Sequence, residues 1–420
     1  MKEILIVGGG AAGYFAAISA ATAFKASGRE ARITILEGSS SPLGKVRISG
    51  GGRCNVTHDC PDASDLVTFY PRGEKELLGP FYHFGAMNTV AWFEAEGVAL
   101  KTEQDGRMFP VSDSSQTIID ALLAAANRLG VRQLLNQRVG TIEPTDQEPG
   151  TSASRWRVST AGQSVFEGDA VIVCSGSSPH IWRSLAALGL DIVPAVPSLF
   201  AFDTRDTRLR DLAGVSVQDA HVQIEIAGAR SNTEASGPLL ITHRGVSGPA
   251  ILRLSAWGAT ALAACEYQFG LRINWLGNCT AAECLAGIND ARPALAKKKV
   301  IGHSPFSLPT RLFASLAEHA GIDQDQRWAD LGREEARRLA DILTNSVLRI
   351  NGKSTNKDEF VTAGGVARSE IDFRNFAARR FPGLFLAGEV IDIDALTGGF
   401  NFQAAWTGGY LAGNGLAEAL

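Results

Sequence analysis

Three glycines near the start of this 420-residue chain, Gly8, Gly10 and Gly13, stand at a spacing suited to holding a pyrophosphate. Gly8 allows a tight turn from strand to helix, Gly10 lets a phosphate approach the backbone, and Gly13 lets helix and strand pack closely. A helix starting behind them offers unpaired N–H groups and the positive end of its dipole to the phosphates. Glu37 lies a little beyond the ~20-residue spacing usual for the acid that accepts from a ribose hydroxyl pair. A second stretch, residues 44–57, sets Gly50, Gly51 and Gly52 among Lys45, Arg47 and Arg53. It reads as a loop, a poor helix and a poor strand, whose backbone can lie against a flat or anionic ligand. Ser175-Gly176 ends a later apolar run and marks another point of close backbone approach. Near the C-terminus, Gly388-Glu389 ends an apolar run, and Gly399-Phe400-Asn401-Phe402 opens an alanine- and glycine-rich stretch.

The elements that must position these residues follow from pattern. Residues 4–7 are a short buried strand, 14–24 a helix of small side chains, and 31–36 a second strand. Residues 170–174 are continuously apolar, as expected of a parallel strand covered on both faces. The last sixty residues return to this style, so both ends of the chain grip one cofactor; that return favours FAD over NAD. Between them, residues 200–226 alternate as an antiparallel β unit. Residues 280–292, 309–320 and 333–343 read as helices with polar outer faces. The expected division is a cofactor domain of residues 1–193 and 357–420, an inserted β domain of 194–275 and 344–356, and a helical subdomain of 276–343. A Pro/Gly-rich loop is expected over residues 143–154.

Composition narrows the function classes. The chain is 45% hydrophobic and 20% charged, with 45 glycines, as a globular protein is. Its net charge of −4 gives no global electrostatic case for nucleic acid. The basic runs at 297–299, 337–338 and 379–380 read as solvated faces. No apolar run reaches the ~18 residues that span a bilayer, and no leader pattern opens the chain; a cytoplasmic location is expected. The six cysteines, 54, 60, 174, 265, 279 and 284, form no Cys-x-x-Cys pair and no zinc spacing. No metal is expected, and the thiols read as reduced. Cys54 and Cys60 alone invite a redox-dithiol reading, beside that of inert thiols.

With these stretches in place, the sequence resembles the YhiN/BaiN-type flavoproteins, also called the aminoacetone-oxidase family. The matching stretches are residues 45–57, 105–112, 242–249, 361–366 and 387–392, with Gly398-Gly399-Phe400-Asn401. The resemblance implies an α/β chain with a discontinuous, Rossmann-like FAD-binding domain of the glutathione-reductase kind, carrying an inserted β-barrel-like unit and a small helical unit. It implies a cofactor shell of Gly8, Gly10, Ala12 and Gly13; Glu37 and Gly38; Lys45, Ser49, Gly50, Gly51, Arg53, Cys54 and Asn55. Val139, Ser175 and Gly176, then Gly388, Glu389, Asp392, Gly399, Phe400, Asn401 and Phe402, complete it.

FAD would carry the redox step, and the chain would position it. N–H groups near Gly399–Phe402 are expected to stabilise charge building at N1–C2=O of the flavin. Asn401 adds a side-chain donor or caps the helix. Arg53 neutralises a phosphate or the reduced flavin, or forms a loop salt bridge. His58 and His243 are substrate-pocket candidates, with structural roles as the alternative. No second Gly-x-Gly-x-x-Gly follows a strand, so NAD(P)H, as a candidate transient electron donor, would enter the substrate cavity. Three functions stay open: a reductase or dehydrogenase of a small organic substrate such as an enone, an oxidase of a small amine producing peroxide, and an FAD-containing RNA-modifying or nucleic-acid-binding protein. A small-molecule substrate is expected, with neither nucleic acid nor membrane as partner.

Overall fold

Ile4–Val7 and Ala170–Val173 are buried along their whole length, as apolar strands must be when helices cover both faces of a sheet. They sit at the centre of a computed structural model that describes residues 1–145, 155–227, 229–354 and 361–420. β1 (Lys2–Val7) runs into α1 (Ala11–Ala26), and β2 (Ala31–Leu36) follows in parallel register, with Val7 opposite Leu36. Arg132–Leu134 extends the parallel sheet beyond β2; Ala170–Val173 and then Leu384–Leu386 extend it on the other side of β1. Two short antiparallel strands, Ile371–Asp372 and Ala377–Ala378, finish that edge. Strands from both ends of the chain thus share one doubly wound sheet.

The chain divides into two compact units, residues 1–195 with 362–420, and residues 196–361. In the first, α1 lies directly against the C-terminal helix Phe400–Ala419. A Cβ on Gly409 would stand 2.6 Å from the Ala12 carbonyl oxygen, and one on Gly413 2.5 Å from that of Ala16. Glycine is what lets the two backbones approach so closely.

Among its described residues the second unit is built on a sheet of seven strands, each paired antiparallel to its neighbours, that nearly closes on itself. Ser346–Ile350 pairs with Phe269–Asn274 at one edge, and Gly352–Ser354, its direct continuation, pairs with Ala201–Asp203 at the other. Strict alternation over Phe269–Asn274 turns Phe269, Leu271 and Ile273 inward. Helices Ala281–Leu295, Thr310–His319 and Arg333–Thr344 pack Cys284, Ile288, Leu312, Phe313, Leu339 and Leu343 into the same core. Most of the loop expected over residues 143–154, and the boundary at 356/357, lie outside the described residues.

Candidate functional site

The opening glycine turn is held by backbone packing. Gly8 has φ +105°, and a Cβ there would lie 2.5 Å from the Cys174 carbonyl oxygen; one on Gly13 would lie 1.9 Å from that of Gly8. Gly10 differs: a Cβ would meet nothing within 4 Å, so this glycine faces open space at the uncapped N-terminus of α1. Glu37, at the end of β2, turns its carboxylate back to the turn. It accepts from the Gly9 N–H at 2.7 Å, and from the Ser39 N–H and hydroxyl at 2.8 and 2.7 Å. Ala12 is buried behind the turn, Gly38 backs onto Arg138, and Val139 is buried at the start of strand Val139–Pro144.

The second stretch departs from the expected loop. Residues 44–48 form a helical turn entered through Leu43 at φ 59°, and only from Ser49 does the backbone leave helical values. The reason is local: Lys45, Val46, Arg47 and Ile48 can all join a helix, whereas Gly50 and Gly51 take left-handed conformations that break it. Gly44, Gly51 and Gly52 each face open space. Lys45 forms an ion pair with Glu389, and Gly176 lies close to the same carboxylate. Segments 44–52, 175–176 and 388–389, far apart in sequence, therefore meet within the first unit. Gly388, Glu389 and Asn401 share a small pocket with Phe376, Ile393 and Ala404.

Several candidate side chains are engaged by the protein itself. Arg53 lies over the Phe109 ring at 4.0 Å and bonds Glu103 at 2.6 Å, with Asp113 at 3.6 Å; the loop salt bridge describes it. Asn401 neither caps its helix nor points its amide outward: it accepts from the Ala395 N–H and donates to the Ala395 carbonyl, at 3.0 and 3.1 Å. Asp392 accepts from the Gly364 N–H at 3.0 Å and pairs with Arg368. Gly399, at φ 92°, gives its own N–H to Asn55, so the free donors of this turn begin at Phe400. Phe402 stacks on Trp406 with centroids 5.6 Å apart.

Cys54 and Cys60 are both free thiols. Burial pushes the Cys54 thiol up to about 12, and burial with neighbouring Asp65, Asp62 and Asp59 raises that of Cys60. Neither environment favours the thiolate that dithiol chemistry needs, and the inert reading describes them. His58 lies in the first unit, its Nδ1 3.1 Å from the Gly398 carbonyl and its ring stacked on Phe400. His243 is exposed in the second unit and is not among the residues gathered here.

Pattern alone missed the buried polar side chains behind the site. Thr57, Gln403 and Thr407 are fully buried and bonded in series, and Asp394, fully buried, pairs with Arg72. A glutamine and a threonine one turn apart in an alanine-rich helix were the available signal. Open space at Gly10, Gly44, Gly51 and Gly52, an acid folded onto the turn, and two uncapped helix N-termini fit an adenine dinucleotide.

Comparison with known proteins agrees. The profile described as HI0933-like protein Rossmann domain matches residues 2–415. A ribosomal RNA dihydrouridine synthase of Escherichia coli (strain K12) is 28% identical, covering 99% of this chain and 98% of that protein. A 3-dehydro-bile acid delta(4,6)-reductase of Clostridium scindens is 28% identical, with 100% of both chains covered. Among solved structures, a 3-ketosteroid-delta4-(5alpha)-dehydrogenase from Rhodococcus jostii RHA1 shares the fold with a TM-score of 0.51 at 16% identity, covering 99% of this chain and 97% of that one. The chain belongs to the HI0933-like Rossmann-domain family and is an FAD-dependent oxidoreductase.

Proposed function

We propose that this chain reduces a carbon–carbon double bond conjugated to a carbonyl in a small organic substrate, with NAD(P)H as the source of electrons. The observation that carries the reading is that two relatives aligned over their full length, a dihydrouridine synthase and a bile acid delta(4,6)-reductase, share that one transformation by name. The bound cofactor would supply hydride transfer, relaying an electron pair taken from NAD(P)H to the double bond, with a proton completing the addition. The chain's own residues bind and orient. Gly8, Gly10 and Gly13 with the N-terminus of α1 would take the pyrophosphate, and Glu37 the adenosine ribose. Lys45 and Glu389 would flank the middle of the cofactor, with Gly50–Asn55 and the N–H groups of Phe400–Phe402 toward the flavin. Those N–H groups would favour negative charge on the ring's pyrimidine end.

A small substrate is favoured over RNA by charge. The cations of the glycine loop and of the hairpin of strands Leu100–Thr102 and Arg107–Pro110, namely Arg53, Lys101 and Arg107, are paired with Glu103, Asp113 and Asp105, leaving little excess to attract phosphates. RNA uridine is the second reading, because two relatives, from E. coli and Haemophilus influenzae, carry the ribosomal RNA name. Anaerobic stopped-flow mixing with NADH or NADPH should bleach the flavin absorbance, and a 3-oxo-4-ene should restore it. Reoxidation by a uridine-containing rRNA fragment alone, suppressed by salt, would replace the small substrate with RNA. Bleaching by an amine but not by NAD(P)H, with peroxide formed in air, would replace the reductase with an oxidase.

A further inference from the structure

Four consecutive residues hold one helix end. With its carboxamide oriented to satisfy its neighbours, Asn55 accepts from the Gly399 N–H at 2.9 Å and donates to the carbonyls of Thr57 and Met108 at 3.0 and 3.3 Å. The Val56 carbonyl accepts from the Trp406 indole at 2.9 Å. The Thr57 hydroxyl donates to Gln403 Oε1 at 2.7 Å; Gln403 Nε2 donates to Thr407 Oγ1 at 3.0 Å, and Thr407 to the Phe84 carbonyl at 2.7 Å. The His58 ring meets the Gly398 carbonyl at 3.1 Å and stacks on Phe400 with centroids 4.6 Å apart. Asn55, Thr57, Gln403 and Thr407 are all buried.

Only two residues separate these four from the Gly50–Gly52 loop, which ties that loop to the helix start. Such redundancy exceeds what holding a 20-residue helix in place requires, since one buried tryptophan and its packing would anchor it. Its physical effect is to forbid reorientation of the turn that carries the free N–H groups of Phe400–Phe402. Dipoles that cannot relax stabilise charge without a reorganisation cost. We propose that Asn55–His58 is a positioning strip: Asn55 and Thr57 set the flavin's two-electron reduction potential by locking the N-terminus of helix Phe400–Ala419. This rests on the FAD reading above, since it assigns that helix end to the flavin.

The test uses purified holoprotein and reads the midpoint potential by equilibration with a reference dye. Thr57→Val keeps the shape and removes the donor; it should lower the potential by about 30 mV, a tenfold loss of preference for the reduced state. Thr57→Ser should return it to the wild-type value, which a merely steric role would not require. If Thr57→Val does not fold, Trp406→Phe removes the neighbouring anchor and is expected to shift the potential in the same direction. A wild-type potential in Thr57→Val, or in Trp406→Phe where Thr57→Val does not fold, overturns the inference while leaving FAD binding intact, as does a Thr57→Ser shift equal to that of Thr57→Val. A wild-type protein that refuses FAD fails one step earlier, at the reading on which the inference rests.

Discussion

Two uncapped helix N-termini of the first unit are held by different physics. α1 begins at Gly10 behind a turn fixed by backbone against backbone: Gly13 on Gly8, and Gly8 on Cys174. The C-terminal helix begins at Gly399 behind a turn fixed by the side chains of Asn55, Thr57, His58, Tyr70 and Asn401. The first can be rebuilt by any sequence that keeps three glycines at their spacing. The second needs particular polar groups to meet across more than three hundred residues. Precision reached by close packing tolerates change around it, whereas precision reached through buried polar bonds fails when one partner is lost.

The largest expected effects fall on these two ends, first the side-chain-built one. Asp394, fully buried, pairs with Arg72 and sits just before the Gly398–Gly399 turn. Asp394→Ala leaves the half-buried Arg72 guanidinium without this carboxylate and should cost about 3 kcal/mol in urea unfolding; a loss below about 1 kcal/mol would mean the pair does not hold that turn. At the other end, Gly13→Val drives a side chain into the Gly8 carbonyl and should cost about 3 kcal/mol. If both variants melt like the wild type, the contrast has no energetic content.

Smaller effects sharpen it. Glu37→Ala removes the acceptor of three hydrogen bonds and should weaken FAD about tenfold by fluorescence titration, while the unpaired Gly9 N–H lowers apoprotein stability by about 1–3 kcal/mol. Cys54 gives a pH signature beside the strip. Its folded value lies above the ordinary 9.0, at about 12, so the native state keeps a proton that the unfolded chain releases between those values. The associated stability is fully present below pH 9 and is lost as pH rises toward 12, by up to about 1.4 kcal/mol per pH unit. Cys54→Ala should flatten part of that alkaline loss; an unchanged slope would place the thiol in contact with water.

This contrast also decides what could be read in advance. The glycine turn, β1, α1 and β2 were legible because backbone approach leaves glycines at fixed spacing and buried parallel strands leave apolar runs. The antiparallel second unit was legible from alternation such as Phe269–Asn274. The helical turn at residues 44–48 was not, because the glycines that end it overshadowed the four residues able to start it. Nor were the Thr57–Gln403 bond and the true partners of Asn401, Arg53 and Asp392, since a buried polar bond across the fold leaves no periodicity in the chain.

Gly10 separates folding from binding cleanly, because a Cβ there would meet no packed neighbour within 4 Å while the pyrophosphate assigned to this turn would be obstructed. The measurement is the flavin-to-protein ratio of purified Gly10→Val beside the wild type, with the melting of both apoproteins recorded. The wild type should be yellow with about one FAD per chain, and Gly10→Val colourless with the same apoprotein melting temperature. A fully yellow Gly10→Val would contradict the assignment of the opening turn to the pyrophosphate.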